Sequence, residues 1–330
     1  MDKLVDAQGC LRYGLYDEPV ENVNFQDYPL ETPMGFKIPK TLKGLMANQF
    51  HFFGVLGQDI MVGMAVVDLK YLTNGFLYVY DRKTRKLAEA RKISLPSSKV
   101  LIKTTPVMPE SVFSSRRLNI EILHDKVKAN AAGDVRVDVT MRPTALPLRL
   151  CSRAGYRGWV YTEKTVPIDL SGQVCYAGRT VEVASPGYRG LMDWTAGYMR
   201  RHTCWNWAAA ASTLPDGRSF GLNLSCGVNE TSFTENAFWV GGVRTKVDAV
   251  NFVFQTRNLY EPWHVASYDQ KVDLAFYPEA HREESVNALL VKSKFKQFMG
   301  TFVGRLRTDS GETIKIETCP GWAEDHYAKW

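Results

Sequence analysis

The chain has 330 residues, enough for two cores in place of one, with 45% hydrophobic and 23% charged residues, an ordinary globular balance. Its net charge of +6 is spread over interleaved acids and bases, so no basic stripe of the kind that tracks nucleic acid stands out. The longest apolar run, Ile60 to Val67, is far short of the ~20 residues of a membrane-spanning helix, so no integral membrane segment is expected.

Met1-Asp2-Lys3-Leu4-Val5-Asp6 lacks the apolar stretch of a secretory signal. The six cysteines (Cys10, Cys151, Cys175, Cys204, Cys226, Cys319) have no CxxC spacing, and the six histidines form no HxH or HExxH pair. These features lead us to expect free thiols, a cytoplasmic location and no metal or other cofactor.

Residues 1–47 are rich in turn formers and lack periodicity, which predicts an irregular lead segment packed on a body formed later in the chain. Strand signals then follow quickly: Phe50 to Leu56, Ile60 to Val67, Gly75 to Tyr80 and Leu87 to Ile93, joined by short turns. Arg117 to Leu123, Val127 to Asn130 and Val135 to Met141 continue the meander. Breaks at Arg142 to Pro147 and at Ser152 to Gly155 place an expected domain boundary near 142–160, between domains at 48–150 and 151–330.

Val174 to Val183 reads as a hairpin around Gly178-Arg179. Two further strands flank the turn Pro215-Asp216-Gly217. Thr245 to Gln255, Val265 to Asp269, Val272 to Tyr277, Lys294 to Leu306 and Thr313 to Thr318 follow. A short helix is expected from Pro320 to Ala328, since Pro suits a first helical turn. The fold class is therefore all-β, with two antiparallel barrel or sandwich domains and few short helices.

The segment Asp193 to Trp239 concentrates the candidate site. It sets Trp194, Tyr198, Trp205, Trp207, Phe238 and Trp239 beside Asp193, Arg200, Arg201, His202, Asn206, Asn223, Asn229, Glu230 and Asn236. Alternate residues of a strand share a face, so Trp205 and Trp207 point one way and Asn206 the other. A cavity lined by indoles and a few amides suits a largely apolar ligand. In such surroundings the Asp193 carboxyl would be raised toward a general acid, the competing reading being a backbone-bonded turn residue. Arg200 offers a bidentate fork to an acidic head group, or a structural pair with Asp193 or Glu230. Asn223, Asn229-Glu230 and Glu235-Asn236 are either turn fixtures or ligand contacts. Asp68, with Tyr71 three residues on, either caps a turn or faces an interdomain cleft. His264 is a second acid/base candidate or a core histidine.

One ordered set of fragments carries a family resemblance. Leu4 to Leu11 (LVDAQGCL), Val66 to Tyr71 (VVDLKY), Asp193 to Gly197 (DWTAG), Trp205 to Ala208 (WNWA), Asp216 to Arg218 (DGR), Gly221 to Leu224 (GLNL) and Glu235 to Trp239 (ENAFW) occur in that order. Together they resemble a family called domain of unknown function 2804, which is similar in turn to two-domain calycin (lipocalin-like) proteins. That group includes carotenoid hydratases, tocopherol cyclases and pericyclase-type cyclases. The resemblance implies two lipocalin-like β domains. It also implies for Asp193 the part of proton donor to an alkene, with Trp205 and Trp207 steadying the cation formed. Where the hydratase motif has Tyr and His, this chain has Leu191 and Trp194.

The leading expectation is a protein that binds a hydrophobic small molecule (lipid, isoprenoid or polyketide-like) in a barrel or interdomain cavity. The alternatives are a cofactor-free hydratase, cyclase or isomerase with Asp193 as general acid, and a structural protein with filled barrels. The ligand-contact set is Trp194, Arg200, Trp205, Trp207, Asn223, Asn236, Trp239, His264, Asp68 and Tyr71.

Overall fold

Period-two patterning governs most of the chain, and the backbone follows it into strands. A computed structural model describes residues 1–97, 99–228, 233–287 and 291–329. The first sheet begins with β1 (Gly14–Tyr16), β2 (Asn48–Gly57), β3 (Ile60–Asp68), β4 (Thr73–Asp81), β5 (Lys86–Ser94), β6 (Val100–Ile102) and β7 (Ser111–Ser114). It continues with β8 (Leu118–Ile122), β9 (Lys126–Ala131), β10 (Val135–Pro143), β11 (Leu148–Ala154), β12 (Gly158–Tyr176) and β13 (Arg179–Tyr198). The second holds β14 (His202–Thr213), β15 (Ser219–Cys226), β16 (Ala237–Val240), β17 (Val243–Lys246) and β18 (Val250–Val253). After these come β19 (Trp263–Ser267), β20 (Val272–Asn287), β21 (Lys292–Arg307) and β22 (Thr313–Lys329).

Strand order in the first sheet is β5-β4-β3-β2-β13-β12-β10-β9-β8-β7-β6, with β11 also on β12 and β1 on β11. In the second it is β17-β16-β15-β14-β22-β21-β20-β19-β18. Every pairing between these strands is antiparallel. The all-β, two-domain lipocalin-like expectation therefore holds.

Three apolar layers result. Phe53, Val55, Met64, Val66, Tyr161 and Trp194 fill the inside of the first curled sheet. Ala208, Ala210, Phe298, Phe302 and Ala323 belong to the core of the second. The alternate residues of these strands face the other way. Phe52, Ala65, Phe76, Trp207, Ala209, Met299 and Trp322 form a third layer where the backs of the two sheets meet. Gly54 makes that meeting possible: a Cβ there would stand 2.4 Å from Trp322 Cη2.

Two details differ from the sequence reading. The chain passes between sheets at residues 199–201, not at 142–160. Pro143, Pro147 and Gly155 mark turns within the first sheet, while the true passage, Met199-Arg200-Arg201, carries no Pro or Gly. Residues 320–328 belong to strand β22, not a helix. They are hydrogen-bonded on both sides, to β14 and β21, and Pro320 sits beside an irregular step of the β21 register where a missing N–H is tolerated. The lead segment packs Leu4, Val5, Val20, Val23, Phe25 and Leu30 into the first core, and ends in a helix, α1 (Lys40–Met46).

Candidate functional site

A cavity of about 230 Å³ lies in the layer between the two sheets. Strand register builds both of its walls. On the first sheet Lys164, Asp193, Phe52, Ala65 and Phe76 are successive cross-strand neighbours from β12 to β4. Two residues along, Thr162, Thr195, Phe50, Val67 and Asn74 repeat the row. On the second sheet Trp207, Glu324, Gln297 and Arg282 run from β14 to β20, and Trp205, His326, Phe295 and Glu284 run beside them. Residues two apart on a strand share a face, so each sheet presents two rows to the cavity, with Thr162 alone of these residues outside its lining.

The charges are grouped. Lys164 Nζ lies 2.5 Å from Asp193 Oδ2 and 3.5 Å from Glu235 Oε1. Burial alone would pull the ammonium down, but Asp193 and Glu235 outweigh it and hold Lys164 above its ordinary range. Thr195 Oγ1 donates to Asp193 Oδ1 at 2.9 Å. Asp193 is thus paired and hydrogen-bonded, joined to a lysine directly across the ladder.

Glu324 is different. Burial pushes its carboxyl up to about 7, with Asp193 adding to the rise, against hydrogen bonds from Gln297 and Trp205. Gln297 Nε2 donates to Glu324 Oε1 at 2.7 Å, and Trp205 Nε1 lies 3.4 Å from Oε2. Tyr78, from the first sheet, donates through its hydroxyl to Gln297 Oε1 at 2.5 Å, so a polar chain crosses between the sheets. His326, whose Nε2 is 3.1 Å from Ser293 Oγ, is held neutral by burial, its pKa lowered to about 3.

Arg282 closes the far wall. Its guanidinium lies 3.9 Å above the Phe76 ring and donates twice to Glu89 Oε1, at 3.0 and 2.8 Å. The side chain is fully buried, yet Nη1 has no hydrogen-bond partner among the described residues. Around these groups the lining is apolar and aromatic: Phe50, Phe52, Phe76, Trp205, Trp207 and Phe295. Phe52 meets Trp207 edge-on, with centroids 5.8 Å apart.

Of the residues singled out in the sequence, Asp193, Arg200, Trp205, Trp207 and Glu235 line this cavity together. Trp194, next to Asp193 on the strand, points into the first core against Tyr161. Asn223 stands behind the wall, accepting from Trp207 Nε1 at 2.9 Å and donating to the Glu235 carbonyl. Asn236 is a turn fixture, accepting from Ser225 N–H and donating to the Asp248 carbonyl. Trp239 is in the inter-sheet layer, its Nε1 donating to the Leu146 carbonyl at 3.0 Å.

Asp68 pairs with Lys70 in a turn, and Tyr71 lies between the lining residues Leu69 and Leu72, its hydroxyl kept neutral by burial. His264 is on the surface, 3.0 Å from Asp273. Asn229 and Glu230 lie outside the described residues. The six cysteines are free.

Lys164, Arg282, Gln297, Glu324 and His326 escaped the sequence reading. A signal was present: Trp322, Glu324 and His326 alternate with small or polar residues, the period of a strand whose acid shares a face with an indole. It was masked by the helical reading of Pro320.

A family model described as Domain of unknown function (DUF2804) matches residues 1–330. The chain belongs to the DUF2804 family. No curated protein matches this DUF2804 chain. Among solved structures it is similar to a Nitrosomonas europaea protein provisionally named AttH, at 11% identity and TM-score 0.52, over 85% of this chain and 92% of that one. It is also similar to CghA, at 10% identity and TM-score 0.50, over 100% and 97%. Kievitone hydratase from Nectria haematococca aligns at 10% identity and TM-score 0.48, over 96% and 98%. At such identities the first two likenesses speak for the fold alone.

Proposed function

We propose that this DUF2804 protein binds a small, largely apolar molecule between its two sheets, and that the molecule carries one hydrogen-bond-accepting oxygen. The observation that carries this reading is the cavity-lining Arg282, whose buried Nη1 has no hydrogen-bond partner among the described residues, in a cavity whose walls also carry the rings of Phe50, Phe52, Phe76, Trp205, Trp207 and Phe295. An unsatisfied buried donor costs about 1–3 kcal/mol, which an acceptor on the ligand would recover. Glu324, whose carboxyl burial pushes up to about 7, offers a second donor when protonated. The cavity, at about 230 Å³, exceeds the roughly 150 Å³ that holds benzene and falls below the ~300–1,000 Å³ of drug-sized sites. It suits a one- or two-ring compound, or one segment of a longer lipid, isoprenoid or polyketide-like chain.

A second reading, a cofactor-free hydratase, cyclase or isomerase, is favoured by one specific observation. A neutral carboxylic acid beside Trp205, with Trp207 across the ladder, is the arrangement needed to protonate an alkene and steady the cation. In that reading we take Glu324 as the donor in place of Asp193, which is ion-paired with Lys164. Native mass spectrometry of the protein purified from its own host tests the binding reading. A ligand adduct lost on denaturation supports it, and a bare protein mass that a panel of apolar compounds leaves unchanged opposes it.

A further inference from the structure

The stretch from Thr32 to Ala47 (TPMGFKIPKTLKGLMA) presents large apolar side chains to solvent from two adjoining structures. The first is a tight turn. Thr32 N–H donates to the Phe36 carbonyl at 2.8 Å, Gly35 N–H to the Thr32 carbonyl at 2.9 Å, and Phe36 N–H to Thr32 Oγ1 at 3.1 Å. Gly35 takes φ +84° with no atom near its Cα face, as expected of a projecting tip. The turn holds Met34 at 81% and Phe36 at 72% exposure. The second is α1, where Leu42, Leu45 and Met46 stand at i, i+3 and i+4. That spacing ordinarily buries a helix face, yet these residues are 51%, 48% and 43% exposed and no residue of α1 is buried. The helix is nevertheless anchored, since Lys43 Nζ donates to the Gln26 and Tyr28 carbonyls. Its far end leads directly into β2, whose Phe50 and Phe52 line the cavity.

We propose that this 32–46 protrusion docks the protein on an anionic lipid surface, its five apolar side chains entering the headgroup boundary and Lys37 and Lys40 meeting lipid phosphates. The charge pattern selects that occupant. The stretch holds three lysines and no acid, and Lys37 and Lys40 are exposed. A second copy docking on the same face would set lysines against lysines with no carboxylate in the stretch to offset them. A protein partner would need a hollow shaped to a turn tip and a helix face together, whereas a fluid lipid surface needs none. The proposal does not depend on what the cavity holds.

The test is co-sedimentation with phosphatidylcholine vesicles, with and without phosphatidylserine. Wild type is expected to pellet with the phosphatidylserine vesicles and to be released as salt shortens the Debye length from ~10 Å at 0.1 M to ~3 Å at 1 M. Phe36→Ser with Leu42→Ser should weaken binding about tenfold or more, and Lys37→Glu with Lys40→Glu should abolish the preference for phosphatidylserine. Unchanged melting temperatures would show that these exposed substitutions leave the fold intact. Failure of wild type to pellet with either vesicle, or pelleting that both double variants retain in full, would overturn the proposal. So would a wild-type dimer in sedimentation velocity that Phe36→Ser with Leu42→Ser converts to monomer while no vesicle binds.

Discussion

Replacing Glu324 by Gln isolates the protonation of one buried carboxyl. The folded group titrates near 7 against an ordinary 4.5, because burial disfavours its charged form. A carboxyl raised on folding contributes stability that is fully present below the unfolded value and is lost as pH rises through the folded one. Between pH 5 and pH 8 this single group should therefore cost wild type about 2–3 kcal/mol, at ~1.4 kcal/mol per pH unit of difference. The substituted amide cannot ionise. It keeps an oxygen for Gln297 Nε2, while an amide nitrogen opposite Trp205 Nε1 adds only a penalty independent of pH. Glu324→Gln should accordingly gain about 2–3 kcal/mol on wild type across that range. At ~2 cal/mol/K of unfolding entropy per residue this is about 3–4 °C in melting temperature. Calorimetry of both proteins at several pH values measures it. A difference between variant and wild type that stays constant from pH 5 to pH 8 would refute the neutral-acid assignment.

Asp193→Asn should destabilise by about 2 kcal/mol, since Lys164 would retain only Glu235 as a charged acceptor, and should leave ligand affinity within about threefold. If a substrate is found and this variant loses turnover ~10²–10⁴-fold without loss of stability, Asp193 is the general acid after all. Gly54→Ala should cost about 1–3 kcal/mol, because its methyl would meet Trp322, which Phe52 holds edge-on at 5.5 Å. Gly187→Ala, with its nearest neighbour 3.5 Å away, should be close to neutral when both variants are compared with wild type by urea titration.

Much of the fold was legible because period-two patterning with short turns leaves an antiparallel meander few alternatives. Ile60 to Val67 and Gly75 to Tyr80 reappear as β3 and β4, and Pro215-Asp216-Gly217 as the turn between β14 and β15. Pro and Gly misled where they punctuate one sheet instead of separating two, as at Pro143 and Pro147. Half of the site was legible for the same reason: the alternation that put Trp205 and Trp207 on one face also puts Trp194 on the face opposite Asp193. The partners were not. Lys164 is 29 residues before Asp193, and Glu324 is 119 residues after Trp205. Only pairing of distant strands brings them together, and local pattern carries no record of that register.

On the binding proposal, the space between the sheets, not the inside of either, receives an apolar ligand. Titration of tryptophan emission with an apolar panel, in wild type and in Trp205→Phe with Trp207→Phe, tests it most directly. A saturable change is expected in wild type and its loss in the double variant, because these are the indoles that line the cavity. A flat titration in wild type, or a change that the double variant keeps in full, would contradict it.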